Sequence, residues 1–392
     1  MARGVRRWAT GALVAASLLT SASCTTGSTD PGTSTPTDAP SPTGDATTTC
    51  SMKTDDAASQ THAAFFAGVD AAGPKDVWAV GTLFDVSRPG PLIQRWDGST
   101  WKSMLHQGDR EHGLQLSDVA AHGPNDVWAV GFVPEGASAL HWDGSRLTQV
   151  STAPALGRSN LLGVTVLGPQ DVWAVGISPG GRGYQQTLIQ HMSGSRWTVA
   201  SAPDTGGYTA GLRDVDGRGA DSLWAVGWTV GDDQVYRPLV ERHVGDGWVI
   251  VPTPHLADDA TLSGVAVAGP KDVWAVGWSW NEDASRSLVL HWNGSVWRVL
   301  HVSGDTGSTA HLATVALDGS DVIVAGQAPD ADGVLQPVAF RLRGSTWTSH
   351  ATPGGVDGGG FQGITTVDGV GMMAVGIQWG SAGYTTLVQS GC

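Results

Sequence analysis

Two stretches of the chain gather side chains suited to recognising a polar ligand that has an apolar face. The first runs from Trp228 through Asp233 and Tyr236 to Arg237, the second from Trp278 and Trp280 through Glu282 to Arg286. An aromatic ring stacks on the apolar face of a sugar or a peptide plane, while carboxylates and guanidinium groups fix its polar edge. Arg182 and Tyr184, and later Trp379 and Tyr384, repeat the combination more sparsely. All of these but Trp228 and Trp278, ten residues, are the ligand-binding candidates. Trp228 and Trp278 carry an alternative: side chains that extend a strand and pack between neighbouring sheets.

Catalytic constellations are missing from the sequence. It holds no Gly-x-Ser-x-Gly elbow, phosphate-cradling loop or paired metal motif. Arg182, Arg237 and Arg286 with Tyr236 have the residue types for glycoside hydrolysis, but nothing in their spacing fixes a geometry. His106 and His112 share one segment with Asp109 and Glu111, at a spacing too loose to specify a metal site. The expectation is therefore a protein without catalytic residues, metal or cofactor. A secreted glycosidase or polysaccharide lyase is the enzymatic alternative, and a scaffold for an envelope protein complex is the third.

These candidates must be positioned by a repeat. Asp76-Val77-Trp78-Ala79-Val80-Gly81 recurs at 126–131, 171–176 and 272–277, with degenerate copies at 222–227, 321–326 and 371–376. The slot of its Trp falls at 78, 128, 173, 224, 274, 323 and 373. A second motif, Arg95-Trp96-Asp97-Gly98-Ser99-Thr100-Trp101, keeps phase with the first and lacks its end after Ser390. Each unit holds four β-patterned pieces, in the first at Phe66–Ala71, Asp76–Thr82, Leu92–Trp96 and Thr100–Met104, separated by Gly73-Pro74 and Asp97-Gly98 turns. Four antiparallel strands at a period near fifty residues describe a propeller blade. The fold expected is all-β, a seven-bladed β-propeller. Its uniform short turns lie on one face and its variable connections, which carry the binding candidates, on the other.

The periodic Trp slot reads as packing between blades. The basic slot Arg95, His141, His191, Arg242, His291 and Arg341 reads as a hydrogen bond within each blade, to the Asp slot. The seventh unit lacks its fourth strand, and Thr47–Lys53 can supply it. That closure would bring Cys50 beside Cys392, where an oxidising compartment permits a disulfide.

The start of the chain reads as an export signal: Arg3, Arg6 and Arg7, a short apolar run from Ala9 to Thr20, then Ser21-Ala22-Ser23-Cys24. The last four residues resemble a bacterial lipobox, which implies acylation of Cys24. Residues 24–49, rich in Thr, Ser and Pro, form a tether unable to bury a core, and residues 50–392 form the propeller. The formal net charge of −14 argues against nucleic acid as a partner, because a field of that sign repels phosphate.

The strand ending in Gly, followed by an aromatic-Asp turn and a Trp (Val77–Gly81, then Trp96–Trp101), resembles kelch-type propellers, including the propeller domain of galactose-oxidase-like proteins. Kelch repeats carry two glycines, whereas Thr82, Phe132, Ile177, Trp228, Trp278, Gln327 and Ile377 follow the first here. The copper chemistry of that family needs Tyr ligands and a Cys–Tyr cross-link, which a chain with 4 Tyr and its Cys near the ends cannot assemble. The combined expectation is a monomeric, extracytoplasmic binding module, lipid-anchored to the cell membrane or else secreted, with a glycan or protein partner.

Overall fold

The computed structural model describes residues 52–55, 57, 63–84, 89–105, 113–154, 157–181, 184–303, 307–350, 352, 357–380 and 383–391. Seven four-stranded antiparallel sheets account for nearly all of them. In the first blade Ala63–Gly73, Asp76–Phe84, Pro89–Trp96 and Trp101–Ser103 pair in chain order. The first three are longer than the sequence pattern indicates, because pairing continues past the apolar positions, and the fourth is shorter. Blades two to six repeat the order. The seventh joins Gly359–Val367, Gly371–Gly380 and Gly383–Gly391 to Lys53–Thr54, which pairs with Gln389 and Ser390. The amino-terminal segment thus completes the last blade; residues 47–51 of the expected strand lie outside the described residues. Met52 beside it is buried against Phe361 and Leu387. Cys24, Cys50 and Cys392, with the leader and the tether of residues 24–49, lie outside the described residues.

The innermost strands, starting at Ala63, Gln115, Asn160, Thr209, Asp259, His311 and Gly359, touch in succession, and the last touches the first. The ring is closed, and the outer edge of each blade is a short strand of two to five residues.

One local distortion explains the invariant glycine. In every blade the innermost strand bulges opposite the motif Gly, with Ala67, Ser117, Leu162, Arg213, Ser263, Ala313 and Gln362 as the extra residues. The bulge presses a backbone carbonyl onto the second strand, and a Cβ at Gly81, Gly131, Gly176, Gly227, Gly277, Gly326 or Gly376 would sit 1.9–2.0 Å from that oxygen. No other residue fits, which is why even the degenerate copies keep Gly.

The Trp slot packs between blades as its periodicity implies. Trp224 of blade four lies in one buried cluster with Val265, Leu288, Trp292 and Trp297 of blade five. The basic slot sits on the same ring. His141, His191 and His291 stack on Trp128, Trp173 and Trp274 with centroids 3.9–4.2 Å apart. Their Nε2 atoms meet Asp126, Asp171 and Asp272 at 2.8–2.9 Å, and each Trp Nε1 donates to the same carboxylate. Arg95 replaces His in blade one, holding Asp76 with two hydrogen bonds and lying 5.1 Å over Trp78. Blade four has Ser222 in the Asp slot, so Arg242 turns to the carbonyl of Asp221 instead.

Candidate ligand-binding face

The second-to-third connections of blades four and five, and the segments leading into blades five and six, meet on the variable face. Tyr236 opens the third strand of blade four and Trp280 closes the second strand of blade five. Across the blade boundary their rings lie 5.5 Å apart. Trp228 lies 5.7 Å from Tyr236, Trp278 lies 6.2 Å from Trp280, and His311 of blade six stacks on Trp278 at 5.5 Å. Five rings from three blades thus form a continuous array. Tyr236 is 40% exposed, so the array is open to solvent at that end. Trp228 and Trp278 do extend their strands, Trp278 reaches across to His311 and Arg213 in the neighbouring blades, and both belong to the array.

Charges beside the array are largely closed on themselves. Arg237 holds Asp233 in a two-armed ion pair, with one arm at 3.0 Å, and its guanidinium keeps that carboxyl down at about 2. Arg286 donates to Asp258 at 3.0 Å. Asp259 accepts the backbone N–H of Tyr236 at 2.6 Å, which fixes the start of that strand. Glu282 lies in the exposed turn after Trp280.

Other candidates fall elsewhere. Trp379 and Tyr384 face each other across a strand pair of blade seven, and Trp379 covers Gly358. Tyr184 of blade three packs on Tyr208 with centroids 3.8 Å apart, their hydroxyls hydrogen-bonded. No ring contact joins either pair to the array among the described residues. Arg182 lies outside the described residues, as do His106, Asp109, Glu111 and His112, and no group of three metal-ligating side chains occurs among those described. A separate cleft on blade two, lined by Gly136, Ser138, Gln149, Thr152 and Ser159, holds no aromatic ring.

Sequence reasoning missed Tyr208, His311 and, above all, Arg213. Arg213 is the bulge residue of blade four, where other blades place Ala, Ser, Leu or Gln. It is exposed to solvent, on the innermost strand of its blade, with its guanidinium 6.0 Å from the Trp278 ring. Desolvation lowers its pKa, and no carboxylate offsets the effect. The one signal in the sequence is a cation standing alone in a slot that is uncharged in six other repeats.

On the innermost strands, a set of carboxylates stitches the blades together. An innermost strand has one unpaired edge, and its N–H groups need acceptors. Asp70, Asp118, Asp214 and Asp216 take the N–H groups of Ala121, Val164, Val265 and Val267 in the following blade at 2.7–2.9 Å. Asp70, Asp214 and Asp216 also each accept the N–H of their own next residue. Burial raises all four pKa values, Asp214 to about 6 and Asp216 to about 7. Their bonds make them clamps between blades.

Comparison with known proteins gives the fold. No family model matches the chain, and no curated protein matches it in sequence. Among solved structures it is similar to YCF48 from Cyanidioschyzon merolae, with a TM-score of 0.56 and 16% identity over 87% of this chain and 98% of that one. A mutant of Trypanosoma rangeli sialidase displaying trans-sialidase activity matches at a TM-score of 0.46 and 9% identity over 87% of this chain. The match spans 57% of the sialidase chain. The first likeness shows a shared propeller. At these identities neither shows a shared activity.

Proposed function

We propose that this protein is a non-catalytic binding module whose variable face takes a glycan, held at the cell envelope. The observation that carries the reading is the five-ring array of Trp228, Tyr236, Trp280, Trp278 and His311. Such an array offers flat, amphipathic area at low entropic cost, which suits the C–H face of a pyranose better than a charged or flexible surface would. The closed ion pairs Arg237–Asp233 and Arg286–Asp258 weigh against a hydrolytic centre, because their guanidinium groups are already engaged. A glycan array with the full chain and a Tyr236→Ala/Trp280→Ala double variant tests the proposal. Loss of at least about tenfold in affinity is expected from two lost stacking contacts. Unaffected binding, or turnover of any glycan on the panel, overturns it, as does a protein partner that binds without the array.

The leader and the Ser21-Ala22-Ser23-Cys24 sequence support an extracytoplasmic, lipid-anchored placement, with residues 25–49 as the tether. Membrane fractionation of the wild type against Cys24→Ala tests it: release of the variant from the membrane supports the anchor, and equal partition refutes it.

A further inference from the structure

Arg213 stands beside the array, on Trp278, and this cation has no polar partner within the fold. It makes no hydrogen bond or ion pair among the described residues, in contrast to Arg237 and Arg286 on the same face. Its surroundings are the Trp278 ring and, further off, the Tyr236 hydroxyl. The carboxylates of the same face are committed: Asp233 to Arg237, Asp258 to Arg286, and Asp259 to the backbone of Tyr236. Asp214, its neighbour in sequence, is bound to Val215 and Val265 below it.

The fold places this uncompensated guanidinium beside the Trp278 ring through a bulge at which six sister blades do without charge. A ligand that brings an anion supplies the missing partner. A planar carboxylate matches the two-pronged guanidinium geometry. Resting on the glycan reading above, we infer that the ligand is an acidic sugar: a terminal pyranose bearing a carboxylate, its ring on Trp278 and Trp280 and its carboxylate on Arg213.

The test uses the full chain with a disaccharide ending in glucuronic acid, the matching disaccharide ending in glucose, and a short peptide with a free carboxyl terminus. Binding is read by calorimetry and by quenching of Trp fluorescence. The uronic-acid disaccharide is expected to bind at least about tenfold more tightly than the glucose one, the scale of one charge-assisted bond. Arg213→Gln removes that preference. Arg213→Lys, which keeps the charge but loses the fork, reduces it, and serves if the Gln variant fails to fold. Trp280→Ala weakens both sugars. Equal affinity of the two sugars in the wild type, or a preference that survives Arg213→Gln, overturns the acidic-sugar inference and leaves the glycan reading standing. A peptide that binds as tightly as the uronic acid overturns the sugar component. If neither sugar binds, the glycan reading falls and the inference with it.

Discussion

Gly277 lies directly against the carbonyl oxygen of Thr261, so close that a methyl group at 277 would meet it at 2.0 Å. The oxygen belongs to the strand that bulges next to it, so neither partner can yield without opening the blade. Gly277→Ala is expected to cost on the order of 3 kcal/mol or more. Gly269, with nothing within 4 Å of an added Cβ, should tolerate Ala within about 0.5 kcal/mol. Urea unfolding of the two variants measures the contrast.

Stability should depend on pH through buried carboxyls. Burial pushes Glu241 up to about 8 from an ordinary 4.5, and neither of its oxygens has a partner. The folded chain therefore keeps a proton that the unfolded chain gives up above pH 4.5. The stability this proton contributes is complete below that value and is lost as pH rises through about 8. Asp214 and Asp216 act in the same direction across pH 4 to 7. Gln190 holds the equivalent place in blade three and bridges both the N–H and the carbonyl of Ala153. Glu241→Gln should thus raise the melting temperature at pH 8, flatten its fall between pH 5 and 8, and change little at pH 4.

The Asp–Trp–His triads predict an asymmetry between their members. Asp171 accepts from both Trp173 and His191, so Asp171→Ala leaves a buried indole N–H without an acceptor and should cost about 1–2 kcal/mol. His191→Arg should cost less, because Arg95 already performs that role over Trp78 in blade one. Thermal unfolding of the two single variants decides between them.

Removing the residues before Ala63 deletes the outer strand of blade seven along with the buried Met52. The edge of Gly383–Gly391 would then stand open, and open edges pair with other chains. Size-exclusion chromatography of the shortened chain should show larger species than the full chain does.

The fold was legible because a propeller writes the same packing problem seven times. Trp78 and Gly81 recur since each blade must fill one gap and clear one carbonyl. The site was legible only in part. Tyr236 and Trp280 occupy corresponding hairpins of adjacent blades, so their meeting follows from the repeat. Trp379 and Tyr384 pair with each other across one hairpin instead, and Arg237 is closed by Asp233 four residues before it. Arg213 escaped notice because a bulge turns a residue out of the alternation by which strands are read, and no local pattern marks it. Asp70, Asp118, Asp214 and Asp216 escaped for a related reason: an acid in an apolar strand looks like a break in the core, and its acceptor role appears only when the next blade is in place.

Lys53 and Ser390, neighbours in the finished ring, lie at opposite ends of the described chain. Bringing them together carries the largest loop-closure entropy of any pairing in the molecule, so it is the slowest contact to find by chance. The first strand must wait, unsatisfied, while six complete units and most of a seventh assemble behind it. The last step of folding is thus a clasp, and a chain halted anywhere short of its final strand holds its blades but not its circle.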